Sequence, residues 1–214
     1  MITLSEFFDI NHQVIIFTYG LVFFIMGLTI LIRIRQSSRL ELARSLKWLA
    51  AFGIAHGLNE WGDLFIPVQS AYLSPFLMRG LFLAQLVLLT VSFAALFEFG
   101  VSTLNSIGYA NFLRGISVIL VTGWFISSLF LFKIESTSHK DWQHISMALS
   151  RYFIGFPGGL LAAYGLRAYT KKRIIPLNVP KIAQMFQVAG SSIALYALLS
   201  GLIPPPVDFS LEIF

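Results

Sequence analysis

Several windows of about twenty residues in this chain hold almost no charge, and that feature limits the possible folds more than any other. The stretches 13–32 and 182–203 contain no Asp, Glu, Lys or Arg at all. A window of that length matches the roughly 30 Å hydrocarbon core of a bilayer when wound as a helix. Lipid offers no partner for free backbone groups, so a spanning segment must satisfy its own hydrogen bonds. Only 12% of the 214 residues are charged, against about 25% in ordinary soluble domains. The expected fold class is therefore an all-α integral membrane protein, a single bundle of about six transmembrane helices.

Six apolar segments stand out, at roughly 13–34, 43–66, 75–100, 113–132, 145–168 and 182–203, with ends uncertain by a few residues. The second is the least obvious, because it carries His56, Asn59, Glu60 and Asp63. Pro75 suits the first turn of the third. Neither Lys nor Arg precedes the first segment, whereas Glu6 and Asp9 do, which is unlike a cleaved leader and expects an anchor with its N-terminus outside.

The net charge of +5 is explained by topology. With the N-terminus outside, Arg33, Arg35, Arg39, Arg44, Lys47, Arg114, Arg167, Lys171, Lys172, Arg173 and Lys181 fall on the inner side, and Arg79, Lys133, Lys140 and Arg151 on the outer. Such a bias is the positive-inside rule, so the expected partner is the lipid bilayer and not nucleic acid. Without cysteine, a disulfide, a thiolate metal site and a cysteine nucleophile are excluded. Pro204-Pro205-Pro206 cannot lie inside a helix, and the sequence stops on the apolar Leu211-Glu212-Ile213-Phe214. A seventh helix beyond that point would return the chain to the cytoplasm.

The second segment carries the chemistry. Gly53, His56, Glu60 and Asp63 are spaced to share one helical face, with Asn59 at its border. At 1.5 Å rise per residue, Glu60 lies roughly 6 Å and His56 roughly 12 Å below the outer end. Ionisable groups at that depth face the bundle interior and mark functional sites by default. Arg79 and Arg151 lie at matching depths and are expected partners for Glu60, since an unpaired buried carboxylate is costly. The candidate ligand- or proton-sensing cluster is thus His56, Asn59, Glu60, Arg79 and Arg151, with Tyr152 nearby. Its blander alternative is a salt-bridged network that only pins three helices.

A metal site would draw on His56 and Glu60 with His12 or His144 as a further ligand, and a haem would have His56 as one axial ligand. No cofactor is the simpler expectation. Ser191 and Ser192 lack a Gly-x-Ser-x-Gly setting and are not expected to be catalytic. Two Gly-xxx-Gly pairs, Gly53 with Gly57 and Gly155 with Gly159, suggest close helix packing. Pro157 should kink the fifth helix or free a carbonyl, making a hinge there conceivable.

Trp48-Leu49-Ala50-Ala51-Phe52-Gly53, the following His56-Gly57-Leu58-Asn59-Glu60-Trp61, and Arg151-Tyr152-Phe153-Ile154-Gly155-Phe156-Pro157-Gly158-Gly159-Leu160-Leu161-Ala162-Ala163 give the chain a family likeness. Together they resemble the N-terminal membrane region of bacterial sensor histidine kinases, including hybrid kinases with PAS domains. That resemblance implies a multi-pass input domain in the bacterial inner membrane, itself not an enzyme, passing a signal to cytoplasmic kinase modules of the same protein, with a homodimer by analogy. The alternatives are a small transporter or channel, for which Gln85, Gln184, Gln187 and Glu98 are few inner polar groups, and a haem- or metal-binding membrane protein.

Overall fold

A computed structural model describes residues 4–36, 41–108, 113–133 and 139–202. Described residues are almost all helical, and no strand occurs among them. The elements are α1 (Leu4–Gln36), α2 (Glu41–Gln69), α3 (Pro75–Asn105), α4 (Leu113–Phe132), α5 (His139–Ser150), α6 (Phe156–Tyr169) and α7 (Pro180–Leu202). Between α5 and α6 runs a π-helical turn, Arg151–Gly155, and a second, Thr170–Ile174, follows α6. The fifth predicted helix is thus part of a longer rod, α5 to α6, interrupted at Arg151–Gly155. The tail from Pro204 and any helix beyond it lie outside the described residues.

Four stretches are long and apolar enough to cross a membrane: Ile10–Arg35, Pro75–Asn105, Gly115–Phe132 and Pro180–Ser200. By length, α2 and the α5–α6 rod would also reach across, at 1.5 Å per residue. They differ in composition, since α2 carries Arg44, Lys47, Glu60 and Asp63 and the rod carries Lys140, Asp141 and Arg151.

The hub is α3, which packs against α2, α4, α5 and α6. Ser74 caps its start by accepting from the Leu77 backbone N–H, and Pro75 occupies its first turn. From Gln85 to Leu104 it is buried on most sides, with Phe93, Leu96 and Phe99 at the centre of the core. The first helix docks on α2, and α7 docks on α6.

Glycine sets the closest approaches. A Cβ at Gly57 would stand 2.6 Å from the carbonyl oxygen of Gly20, and one at Gly53 2.7 Å from that of Phe23. From the other side, a Cβ at Gly27 would meet the Ile54 nitrogen at 2.6 Å. The Gly-xxx-Gly pair of α2 therefore packs backbone to backbone against α1, whose Gly20 and Gly27 complete the contact. A Cβ at Gly100 of α3 would lie 2.7 Å from the Ala162 nitrogen of α6.

Indole hydrogen bonds tie α4 to α5. Trp124 Nε1 donates to the Ser146 carbonyl at 2.8 Å, and Trp142 Nε1 donates to that of Ser128 at 2.7 Å. Trp124→Phe should cost about 1 kcal/mol, the usual net worth of one hydrogen bond, measured as a lower unfolding midpoint in detergent. At the other end of the bundle, Lys172 Nζ donates to the Ile107 carbonyl at 2.6 Å and Arg173 to that of Ser106 at 3.4 Å. Cations there meet the negative end of the α3 dipole.

Candidate functional site

The Gly53–Gly57 side of α2 is committed to α1, and His56 points into the bundle. It is 3% exposed. Its Nε2 lies 3.0 Å from the Tyr196 hydroxyl of α7, and its Nδ1 lies 3.4 Å from the Ser92 hydroxyl of α3. The Ser92 hydroxyl donates its hydrogen to the Leu89 carbonyl at 2.7 Å. Its oxygen therefore faces Nδ1 as an acceptor, which places a proton on Nδ1 and leaves Nε2 to accept from Tyr196 when the ring is neutral.

Glu60 sits one turn outward, with Oε1 3.6 Å from the same Nε2. Two arrangements satisfy these atoms. Either a proton on Glu60 keeps the imidazole neutral, or Nε2 takes it and an imidazolium faces a carboxylate. The walls are aromatic. Phe52 stacks on the imidazole at 5.1 Å between centroids, Phe23 meets it edge-on at 4.8 Å, and Phe93, Tyr196 and Tyr19 stand at 5.6, 5.7 and 6.2 Å. These rings close the imidazole off from solvent and pack its neutral form.

Outward from Glu60, the network continues. Asn59 Nδ2 donates to Glu60 Oε1 at 3.4 Å, and Gln85 Nε2 from α3 bridges the Asn59 carbonyl and the Asp63 carboxylate. Gln85 thus belongs to this outward-facing cluster, contrary to the expectation that grouped it with inner polar residues. Asn59 is 4% exposed, and its Oδ1 has no partner. Trp61 covers the α1 side, stacked on Phe17 and donating from Nε1 to the Phe17 carbonyl at 3.1 Å.

Two of the predicted partners behave differently. Arg151, in the first π-turn, is half-buried and lies near His56, Glu60 and Asp63, although the ion-pair contact Glu60 makes within 4 Å is with His56. Arg79 is exposed on α3 and is not among the side chains that contact Glu60, Asn59 or Asp63. Tyr152 is 38% exposed and faces outward from the π-turn. Sequence reasoning missed Tyr19, Phe23, Ser92 and Tyr196. The only signal for Tyr196 was a hydroxyl set in the apolar run Ala194-Leu195-Tyr196-Ala197.

For the metal and haem alternatives, His12 and His144 are exposed on α1 and α5. Among the described residues, no three His, Cys, Asp or Glu side chains are grouped to hold an ion. Both ring nitrogens of His56 face protein partners, so ligation through it would require release of Tyr196 or Ser92. No protein-family model, curated protein sequence or solved structure matches the chain.

Proposed function

We propose that this chain is the membrane-embedded input domain of a bacterial two-component histidine kinase, and that His56 and Glu60 form its sensing site. In this reading α1 to α4, the α5–α6 rod and α7 make six spans in the inner membrane with the N-terminus outside. Its partners are the lipid bilayer and cytoplasmic kinase modules of the parent protein.

The observation that carries the reading is the one-sidedness of the polar network. Asp63, Gln85, Asn59, Glu60 and His56 run inward from one end of α2 and stop at Tyr196 and Ser92. The next buried polar side chain inward on α2 is Ser45, paired with Ser102 at 3.0 Å. It lies eleven positions along the helix from His56, roughly 16 Å. Phe52, Phe93, Leu96 and Phe99, all at most 3% exposed, fill the interval. A conducting path needs polar groups or water through both halves. A chain that enters from one side and ends on a histidine suits reception of a proton or a small polar ligand, with the resulting change carried onward by the helices.

The test pairs two measurements. Glu60→Gln and His56→Ala should each abolish stimulus-dependent phosphorylation by the parent kinase, and liposomes holding this chain should show no substrate-dependent flux. Undiminished signalling in both variants, or flux through the purified chain, would overturn the proposal. A Soret band or stoichiometric metal lost in His56→Ala would transfer the site to a cofactor.

A further inference from the structure

Between Asp141 and Asp208 the chain contains no carboxylate side chain, yet it carries Arg151, Arg167, Lys171, Lys172, Arg173 and Lys181. Five of these six cations fall within the fifteen residues 167–181. Like charges gathered over so short a stretch repel one another unless an anion from outside the stretch answers them.

That stretch joins α6 to α7. It runs through the wide turn Thr170–Ile174 and a 3-10 turn, Ile175–Leu177, to Pro180 at the start of α7. Three features give it a fixed shape. Lys172 and Arg173 hold the carbonyls of Ile107 and Ser106 at the end of α3. Ile174 packs against the small core of Leu104, Ile107 and Tyr169. Asn178, in the left-handed region at φ 54°, donates its N–H to the Ile175 carbonyl at 3.1 Å and closes the 3-10 turn. The next aliphatic side chains after Ile174 are left outside that core, with Ile175 48% and Leu177 66% exposed. Lys171, Arg173 and Lys181, on either side of them in sequence, are exposed too. Lys171 and Lys181 make no ion pair among the described residues.

Depth decides what meets this surface. The apolar stretch of α7 begins at Pro180 and that of α3 ends at Asn105. The turn therefore lies where a bilayer passes from hydrocarbon to headgroups. Aliphatic tips at that level enter the acyl region while cations stay among the phosphates. An acidic protein surface would answer the charges, but its carboxylates could not follow Ile175 and Leu177 into hydrocarbon.

We propose that the α6–α7 turn binds an anionic phospholipid, with its phosphate held by Lys171, Arg173 and Lys181 and its acyl chains against Ile175 and Leu177. Arginine offers a fork to two phosphate oxygens, and the lysines act as point charges. The site needs the helices to span a membrane and is independent of any sensing role for His56. In the orientation proposed above, the lipid belongs to the cytoplasmic leaflet, whose anionic lipids attract basic segments beside a span.

Phosphatidylcholine vesicles holding the full chain, with a trace of spin-labelled phosphatidylglycerol or spin-labelled phosphatidylcholine, test the site through the fraction of label held at the protein surface. Wild type should prefer phosphatidylglycerol, and the preference should shrink in about 1 M sodium chloride, which screens charges beyond about 3 Å. Lys171→Gln with Lys181→Gln should lower it roughly fivefold for each charge removed. Lys133→Gln, beyond the far end of α4, should leave it unchanged. Since the chain has no cysteine, a nitroxide on Leu177→Cys reports depth, and it should be more accessible to oxygen than to a water-soluble nickel chelate. Circular dichroism checks that each variant is folded. Equal association of the two lipids with wild type overturns the proposal, as does an undiminished preference in the folded double variant. Loss of the preference to inorganic phosphate, but not to chloride of equal ionic strength, would overturn it in favour of a free anion. A Leu177 label reached more readily by the nickel chelate would overturn it in favour of a soluble acidic partner.

Discussion

Gly57→Val should be among the most damaging single substitutions in the chain, lowering stability by about 3 kcal/mol, the upper range for overpacking a close contact. The reason is what the new side chain would meet. Its Cβ would fall 2.6 Å from the Gly20 carbonyl oxygen and 2.9 Å from the Phe24 nitrogen, both backbone atoms that no rotamer change can clear. Relief requires α1 to move off α2. Tyr19 and Phe23 would move with it, removing two walls from the imidazole box. Loss of stability and loss of the site should therefore appear together. Gly80→Ala is the matched control, because a Cβ there meets nothing within 4 Å, and it should change stability by no more than about 1 kcal/mol, the helix-propensity difference. Unfolding midpoints in mild detergent give the comparison. Equal midpoints for Gly57→Val and wild type would mean that α1 does not pack on α2 as described.

His56→Leu is expected to destabilise by about 2 kcal/mol, within the 1–3 kcal/mol range for stranding a buried polar group. Leucine fills much of the box, so the cost lies in the partners. The Tyr196 hydroxyl loses its acceptor at 3.0 Å, and the half-buried Glu60 loses the ring nitrogen 3.6 Å from its oxygen. Ser92 is less affected, because it already donates to Leu89. Adding Tyr196→Phe removes the stranded hydroxyl, so the double variant should be more stable than the sum of the single costs predicts. A double-mutant cycle should return a coupling of about 1 kcal/mol. Strict additivity would show that the two side chains, 140 positions apart in sequence, do not meet.

The legible part of this protein followed from properties that run along the chain. Charge-free windows of membrane length located the helices, and the ends of α3 and α4 agree with expectation to within a few residues. The 3, 4, 3 spacing of Gly53, His56, Glu60 and Asp63 singled out α2, because a helix repeats its faces over that interval. Gly53 and Gly57 pointed to a close packing that the structure places against α1. Pro157 announced a break in the fifth helix, although not the form it takes.

Sequence alone could not choose the partners. Arg79 and Arg151 looked equivalent as counter-charges, since depth along a helix says nothing about rotation around it. Rotation is set by which face packs on which neighbour, and that turned Arg79 outward while leaving Arg151 close to the cluster. The same reason hid Tyr196 and Ser92. Each is a single hydroxyl in an apolar run, indistinguishable from a packing residue until α3 and α7 are brought against α2. Hydropathy and periodicity are summed along one helix, and they determined that helices form, where they lie and that α2 carries a buried polar face. The meeting of four helices around one imidazole depends on side-chain volumes across several interfaces at once, and only the tertiary structure decided it.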